Sequence, residues 1–342
     1  MTIKKLTVIA AAGAVLLAGA IGISMRLTSP DEMAMEVPEA PVTQSAEQED
    51  GSKTLGNMEN IPLYYDETKK LLLPLRNVME GLGGTVAWNK ETKATDVTYR
   101  GRTLSLLAGE TQAELNGYEI TLPEAAEIIN GCLYADAKLI SAYYTGEVAF
   151  DQETRQVTLH AKDHSVPVVA VNEISGEADG KAYRIEVPVI LGLNDSNYEK
   201  SLNELFQQEM QAYADAFIVA ETEADSETLL QLKLRTELCT KDFVSLLWEG
   251  NKDGAPVKLA KNIDLLSQKT VTLADMLSAA SLEKVKQAAG EDWTEDRFFL
   301  TAEGGLVILK GSNESSQNLY YWTTEGELPE WKGVYQDVFQ KK

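Results

Sequence analysis

The sequence predicts an α+β protein: two small domains, each with a mainly antiparallel sheet and short helices, behind one N-terminal transmembrane helix. Three observations predict it. An uncharged run from Leu6 to Met25 is followed by a polar stretch, residues 27–60, with no sustained apolar period. A helix–glycine–hairpin pattern occurs twice, from Leu71 and again from Leu133. Beyond Ser165, alternating apolar runs surround one long amphipathic segment.

The first run spans Leu6 to Met25, roughly 30 Å as a helix, enough to cross a hydrocarbon core. Lys4 and Lys5 precede it, and Asp31, Glu32, Glu36 and Glu39 follow it, which places the C-terminal part outside the cell. Ala18-Gly19-Ala20 also fits a small-residue cleavage pattern, while the apolar stretch continues through Ile21 and Ile23. Residues 1–26 are therefore a signal anchor or a signal peptide. The expected location is a single-pass membrane protein with its domains outside, or secretion after cleavage near Ala20. Residues 27–60 are expected to form a disordered linker, since they cannot bury enough surface to offset their ordering entropy.

The formal net charge of −22 argues against nucleic acid and against anionic headgroups as partners. Cys132 and Cys239 have no metal-ligand spacing; structural thiols and a disulfide both remain open.

The first domain is placed at 61–162. Leu75, Val78, Met79 and Leu82 follow helical spacing, and Gly83-Gly84 can end that helix in a left-handed cap. Val86 and Trp88 alternate as a strand, Asn89 to Thr92 form a turn, and Val97 and Tyr99 return. In the second copy Gly146, Val148, Phe150 and Glu153-Thr154 match Gly84, Val86, Trp88 and Glu91-Thr92. Such duplication predicts a domain built from two similar halves. Between the copies, Asn116-Gly117 is the favoured two-residue hairpin turn.

Leu73-Pro74-Leu75-Arg76, Gly84, Val86, Trp88 and Asn89 together resemble the N-terminal, stalk-like domain of copper amine oxidases. The second copy carries Ala135-Asp136-Ala137-Lys138 instead, so a ligand role for the family's arginine falls on Arg76 alone. The family name does not bring copper chemistry with it. Copper sites want several imidazoles, and only His160 and His164 exist, at the end of an expected strand. No metal and no cofactor are expected.

The second domain is placed at 165–342. Tyr183, Ile185, Val187 and Val189 share one face of a strand. Ser196 to Glu199 is expected as a capping box opening a helix with Tyr198, Leu202, Leu205, Phe206, Tyr213 and Phe217 on one stripe. Leu230, Leu232 and Leu234 alternate. Phe243–Trp248 and Lys258–Asp264 pair around a turn at Asn251–Gly254. Thr272 caps a short helix, a second runs from Leu282 to Ala289, and Phe298–Leu300 and Leu306–Ile308 form a hairpin around Gly304-Gly305. The segments VPVILGLNDSNYEKSLNELF, DFVSLLWE, NIDLLSQKTVTLADML and FFLTAEGGLVIL, in that order, resemble the extracytoplasmic domain shared by lysozyme-sensing anti-sigma factors and some peptidoglycan deacetylases. That resemblance implies a ligand such as peptidoglycan or a lysozyme-like protein. The five residues before Leu6 are too few for a sigma-binding domain.

No HExxH, GxSxG or phosphate-loop motif occurs, and the SxxK match at Ser281–Lys284 lacks its companion motifs, Ser281 suiting a helix cap instead. The expectation is a binding or sensing protein of the cell envelope and not an enzyme, with a structural accessory role as the alternative and an unrecognised cell-wall hydrolase behind both. The candidate binding residues are Arg76 and the exposed aromatics Tyr320, Tyr321, Trp322 and Trp331. The expected partner is a cell-wall glycan or an envelope protein.

Overall fold

The computed structural model describes residues 52–57, 64–65, 71–144, 146–151, 153–154, 156–161, 165–220, 228–289, 293–309, 319–322, 330–333 and 335. The expected membrane helix at 6–25 and its cleavage site lie outside these residues. No helix among the described residues is long and apolar enough to cross a membrane. The class is α+β, with mostly antiparallel sheets and few helices, as the sequence predicts.

The first half of the N-terminal domain contains β1 (Ser52–Asn57), β2 (Tyr64–Tyr65), β3 (Leu71–Pro74), α1 (Leu75–Gly81), β4 (Thr85–Trp88) and β5 (Thr95–Tyr99). The second half contains β6 (Arg102–Leu106), β7 (Gln112–Leu115), β8 (Tyr118–Thr121), β9 (Glu127–Ile129), β10 (Cys132–Asp136), α2 (Ala137–Tyr143), β11 (Gly146–Asp151) and β12 (Gln156–Ala161). One boundary moves: residues 52–57, expected in the linker, form β1 and pair with β12. Their polar sequence, SKTLGN, hides a strand whose hydrogen bonds come from the far end of the domain.

Helix α1 forms where its spacing dictates. Leu75, Val78, Met79 and Leu82 are all buried. Gly83 ends it at φ +87, and Gly84 donates back to the Met79 carbonyl at 2.8 Å. A side chain at Gly84 would meet the Thr98 carbonyl oxygen at 2.7 Å, so only glycine lets α1 close onto β5. Asn116 and Gly117, at φ 52 and 88, make the expected hairpin turn between β7 and β8.

The two copies of the repeat meet through equivalent strands. β3 pairs with β10 antiparallel, with Leu72 opposite Asp136, Leu73 opposite Ala135 and Pro74 opposite Tyr134. Leu73 and Ala135 are equivalent positions of the repeat, so the register is that of a local twofold axis passing between them. The hairpins obey the same relation: Val86 opposite Val97 and Trp88 opposite Thr95 in one copy, Val148 opposite Leu159 and Phe150 opposite Val157 in the other. β2 lies on β3 as β9 lies on β10, giving the sheet order β2-β3-β10-β9. The other two sheets are β4-β5-β6-β7-β8 and β1-β12-β11.

The C-terminal domain contains β13 (Val168–Ala178), β14 (Lys181–Leu191), α3 (Ser196–Val219), β15 (Thr228–Cys239), β16 (Phe243–Lys252), β17 (Ala255–Asp264), β18 (Lys269–Thr270), α4 (Leu273–Met276), α5 (Ala279–Ala289), β19 (Phe298–Leu300), β20 (Leu306–Leu309) and β21 (Leu319–Trp322). β13 to β18 form one sheet in sequence order. Its pairs are antiparallel except β14 with β15, whose parallel pairing α3 makes possible as the crossover. Leu202, Phe206, Met210, Ala214 and Phe217 of α3 bury one face of the sheet against Ile185, Leu230, Leu232 and Trp248. On the other face Leu247 packs with Phe299, Val307 and Leu309 of the small sheet β19-β20-β21. A buried polar relay fixes that contact: Ser245 Oγ donates to Asn262 Oδ1 at 2.7 Å, Asn262 Nδ2 donates to the Phe298 carbonyl at 2.7 Å, and Leu300 N–H donates to Ser245 Oγ at 2.9 Å. Every member is satisfied, so the relay selects one docking position for the small sheet.

Three local expectations shift. The cap of α3 is Asp195, whose carboxylate accepts from the Asn197 and Tyr198 N–H groups, because the helix begins at Ser196 itself. Glu199 instead reaches back to the Gly192 and Leu193 N–H groups at 2.8 and 3.0 Å. Leu205, placed on the buried stripe from its spacing, is 39% exposed. Ser278 opens α5, and Ser281 is buried inside it, accepting the Glu330 N–H at 2.9 Å. Its hydroxyl thus fastens the C-terminal segment. Both cysteines are free. Cys239 donates to the Pro167 carbonyl at 3.4 Å, and burial pushes its thiol up to about 11.

The domains share a core. Val168, Ala170, Val189 and Leu191 at the base of β13 and β14 pack in one apolar cluster with Leu104, Leu115, Ile120 and Tyr143. Glu173 N–H donates to Thr121 Oγ1 at 3.0 Å, stitching β13 to β8. Arg102 is buried at this junction and donates long bonds to the Tyr143 and Val166 carbonyls, 3.4 and 3.5 Å. Desolvation lowers its pKa, and the nearby Glu199 carboxylate opposes that shift.

Candidate binding surface

The expected site residues lie on different elements. Arg76 stands on the outer face of α1, about half exposed, and its guanidinium is held by Glu80 one turn later at 3.1 Å. Trp331 corrects the expectation of an exposed aromatic: it is 5% exposed, in a core with Phe243, Leu277, Phe298 and Leu306. The cause is a backbone bridge from Leu277 to Trp331, which draws the chain end across α4 and α5. Tyr320, Tyr321 and Trp322 lie on β21, opposite Ile308, Val307 and Leu306 of β20. Their backbone is described; their side chains lie outside the described residues.

One large aromatic is exposed among the described residues outside these candidates. Trp88 is 52% exposed, while Val86, two residues earlier on the same side of β4, is 8% exposed. The alternation that buries Val86 therefore carries the next side chain past the edge of the core. The turn beyond it is built by Asn89, whose Oδ1 accepts from the Glu91 and Thr92 N–H groups at 3.0 and 3.2 Å. Lys93 completes the turn at φ 60. Lys90, Glu91 and Lys93 are all exposed in this turn.

The second copy builds the same turn. Asp151 Oδ1 accepts from Glu153 and Thr154 N–H groups at 2.8 and 3.1 Å, and these bonds hold its carboxyl below the ordinary range. Phe150 occupies the register position of Trp88. The signal for Trp88 was present in the sequence: an aromatic closing an alternating strand directly before a polar turn. Alternation places Trp88 on a strand but does not tell where the core ends.

The densest ionic group lies on the sheet of the second domain. Arg235 meets Glu249 and Glu237, both at 2.9 Å, and Lys258 meets Glu249 at 2.5 Å. Burial raises the pKa of Glu237, foremost among its causes. Desolvation would raise Glu249 too, but hydrogen bonds from Lys258 and Arg235 outweigh it and lower the value. Glu237 Oε1 is buried without a well-aligned hydrogen bond, so its pairing with Arg235 is an ion pair of poor geometry. Structural ion-pair networks perturb pKa values in this way without any catalytic role. No group of three or more potential metal ligands assembles among the described residues.

A member of the DUF3298 family from Bacteroides fragilis is similar to this chain at 12% identity, covering 57% of this chain and 97% of that one, with a TM-score of 0.33. A DUF3298 family protein from Pseudomonas aeruginosa is similar at 15% identity, covering 46% and 88%, with a TM-score of 0.31. No curated protein matches the chain. Residues 50–159, a span that begins just before β1 and ends within β12, match the copper amine oxidase N-terminal domain family.

Proposed function

We propose that this chain is a membrane-anchored extracytoplasmic binding or sensing protein of the cell envelope, and that its first domain contacts cell-wall glycan through Trp88. The carrying observation is the half-exposed indole beyond the end of the β4 core row. An indole face offers a flat apolar surface to the C–H face of a sugar ring. The hydrophobic run at 6–25 and the polar stretch after it support placement outside the cell at the end of a tether. The test is co-sedimentation of the full chain with purified peptidoglycan. Trp88→Ala is expected to weaken capture about tenfold, ~1.4 kcal/mol, with little change in melting temperature. Unchanged capture by Trp88→Ala sinks the glycan reading.

A second ligand class is favoured by charge. At −22 the chain attracts basic proteins and repels polyanions. This fits the finer proposal that residues 165–335 are the extracytoplasmic domain of lysozyme-sensing anti-sigma factors and peptidoglycan deacetylases, with β21 and its Tyr320, Tyr321 and Trp322 in the contact. Titration with lysozyme, repeated at higher salt, tests it. Saturable binding that weakens with salt is expected, and no binding at low salt overturns it.

A further inference from the structure

The position that β6 holds beside β5 is held by β1 beside β12. Thr103, Leu104 and Ser105 face Thr98, Val97 and Asp96. At the equivalent positions Ser52, Lys53 and Thr54 face His160, Leu159 and Thr158. The two third strands differ in how they are held. β6 follows β5 through the two-residue turn Arg100-Gly101 and buries Leu104 and Leu106. β1 reaches β12 only after the whole domain intervenes, from Asn57 to Gln156, and its ladder is interrupted between Thr54 and Asn57. It ends its sheet and carries one large apolar residue, Leu55. A sequence-remote edge strand with an interrupted ladder can detach without opening the rest of its sheet, and detachment leaves β12 with an unpaired edge.

We propose that this β12 edge is a strand-acceptor site, and that its ligand is β1 of a second copy of the same chain, giving a strand-exchanged dimer. The occupant follows from the register: the segment that fits β12 within one chain fits it identically when another copy supplies it, and exchange of identical elements is a low-cost route to dimers. Neighbouring copies anchored in one membrane would also raise the effective concentration of the donor strand, a gain that rests on the anchoring proposed above.

The experiment uses the full chain purified in detergent, with Cys132→Ser and Cys239→Ser. One batch carries Thr54→Cys; another, differently tagged, carries Thr158→Cys. Within a single chain neither cysteine then has a partner. After mixing and mild oxidation, exchange yields a disulfide joining the two tags, expected at about fivefold or more over a control mixture with the second cysteine at Glu114. The double variant Thr54→Cys/Thr158→Cys reports closure within one chain. The pair Lys53–Leu159 repeats the test on the other type of antiparallel pair. Cross-tag product at the control level, while the double variants close within one chain, overturns the proposal, whatever the fate of the glycan reading.

Discussion

The two halves of the first domain share one plan but hold it together differently. Around the twofold axis, β3 faces β10, α1 matches α2, and the hairpins keep one register. Beside the hairpin of the first copy the third strand, β6, is local and apolar; beside that of the second copy it is β1, remote and polar in sequence. Duplication therefore preserved the register while the sequence and connection of the third strand changed. A register can be satisfied by backbone hydrogen bonds alone, whereas the free energy of a strand depends on what its side chains bury.

The sharpest way to break this comparison is to shorten one leucine on each third strand. Leu104→Ala in β6 empties a fully buried site and is expected to cost about 2–5 kcal/mol in urea denaturation. Leu55→Ala in β1 sits within the interruption of its ladder and is expected to cost under about 1 kcal/mol. Equal costs would mean that β1 is held as firmly as β6. Next in size is the junction. Arg102→Met removes the donor to the Tyr143 and Val166 carbonyls and is expected to cost about 1–3 kcal/mol. Because the two domains share a core, residues 52–342 should melt in a single calorimetric transition; two separate transitions would refute that sharing.

The smallest effect separates the two turns by pH. Asp151 has a pKa lowered from 3.8 chiefly by the Thr154 and Glu153 N–H groups, whereas Asn89 does the same work uncharged. A depressed carboxylate contributes stability that is present above its ordinary pKa and lost as pH falls through the folded value. Melting temperature measured from about pH 5 down to about pH 2 should therefore fall less steeply for Asp151→Asn and more steeply for Asn89→Asp. Identical slopes in all three proteins would remove the turn's contribution.

Much of this architecture was legible. Helix α1, its glycine stop, the Asn116-Gly117 turn and the long strands β14, β16 and β17 follow from local periodicity and turn chemistry, which a sequence carries directly. The repeat foretold two halves; the axis between Leu73 and Ala135 needed the pairing itself. β1 was missed because a strand held by a remote partner leaves no local pattern. Trp331 was misjudged for a related reason: its burial is imposed by the bridge to Leu277, many residues away. The parallel pair β14–β15 was also hidden, since alternation reports a strand's faces and not its direction. At the candidate site the residue type of Trp88 was visible, and its exposure was not.

The direction of β1 has a mechanical consequence. Ser52, the first residue of β1, lies opposite His160, one residue before β12 ends. Tension between the N-terminal stretch and the second domain therefore enters and leaves at adjacent ends of an antiparallel pair. Hydrogen bonds loaded in that way yield one after another, like a zipper, and never share the force. A pull applied ahead of Ser52 and beyond Ala161 would therefore load the β1–β12 ladder one bond at a time, beginning at Ser52.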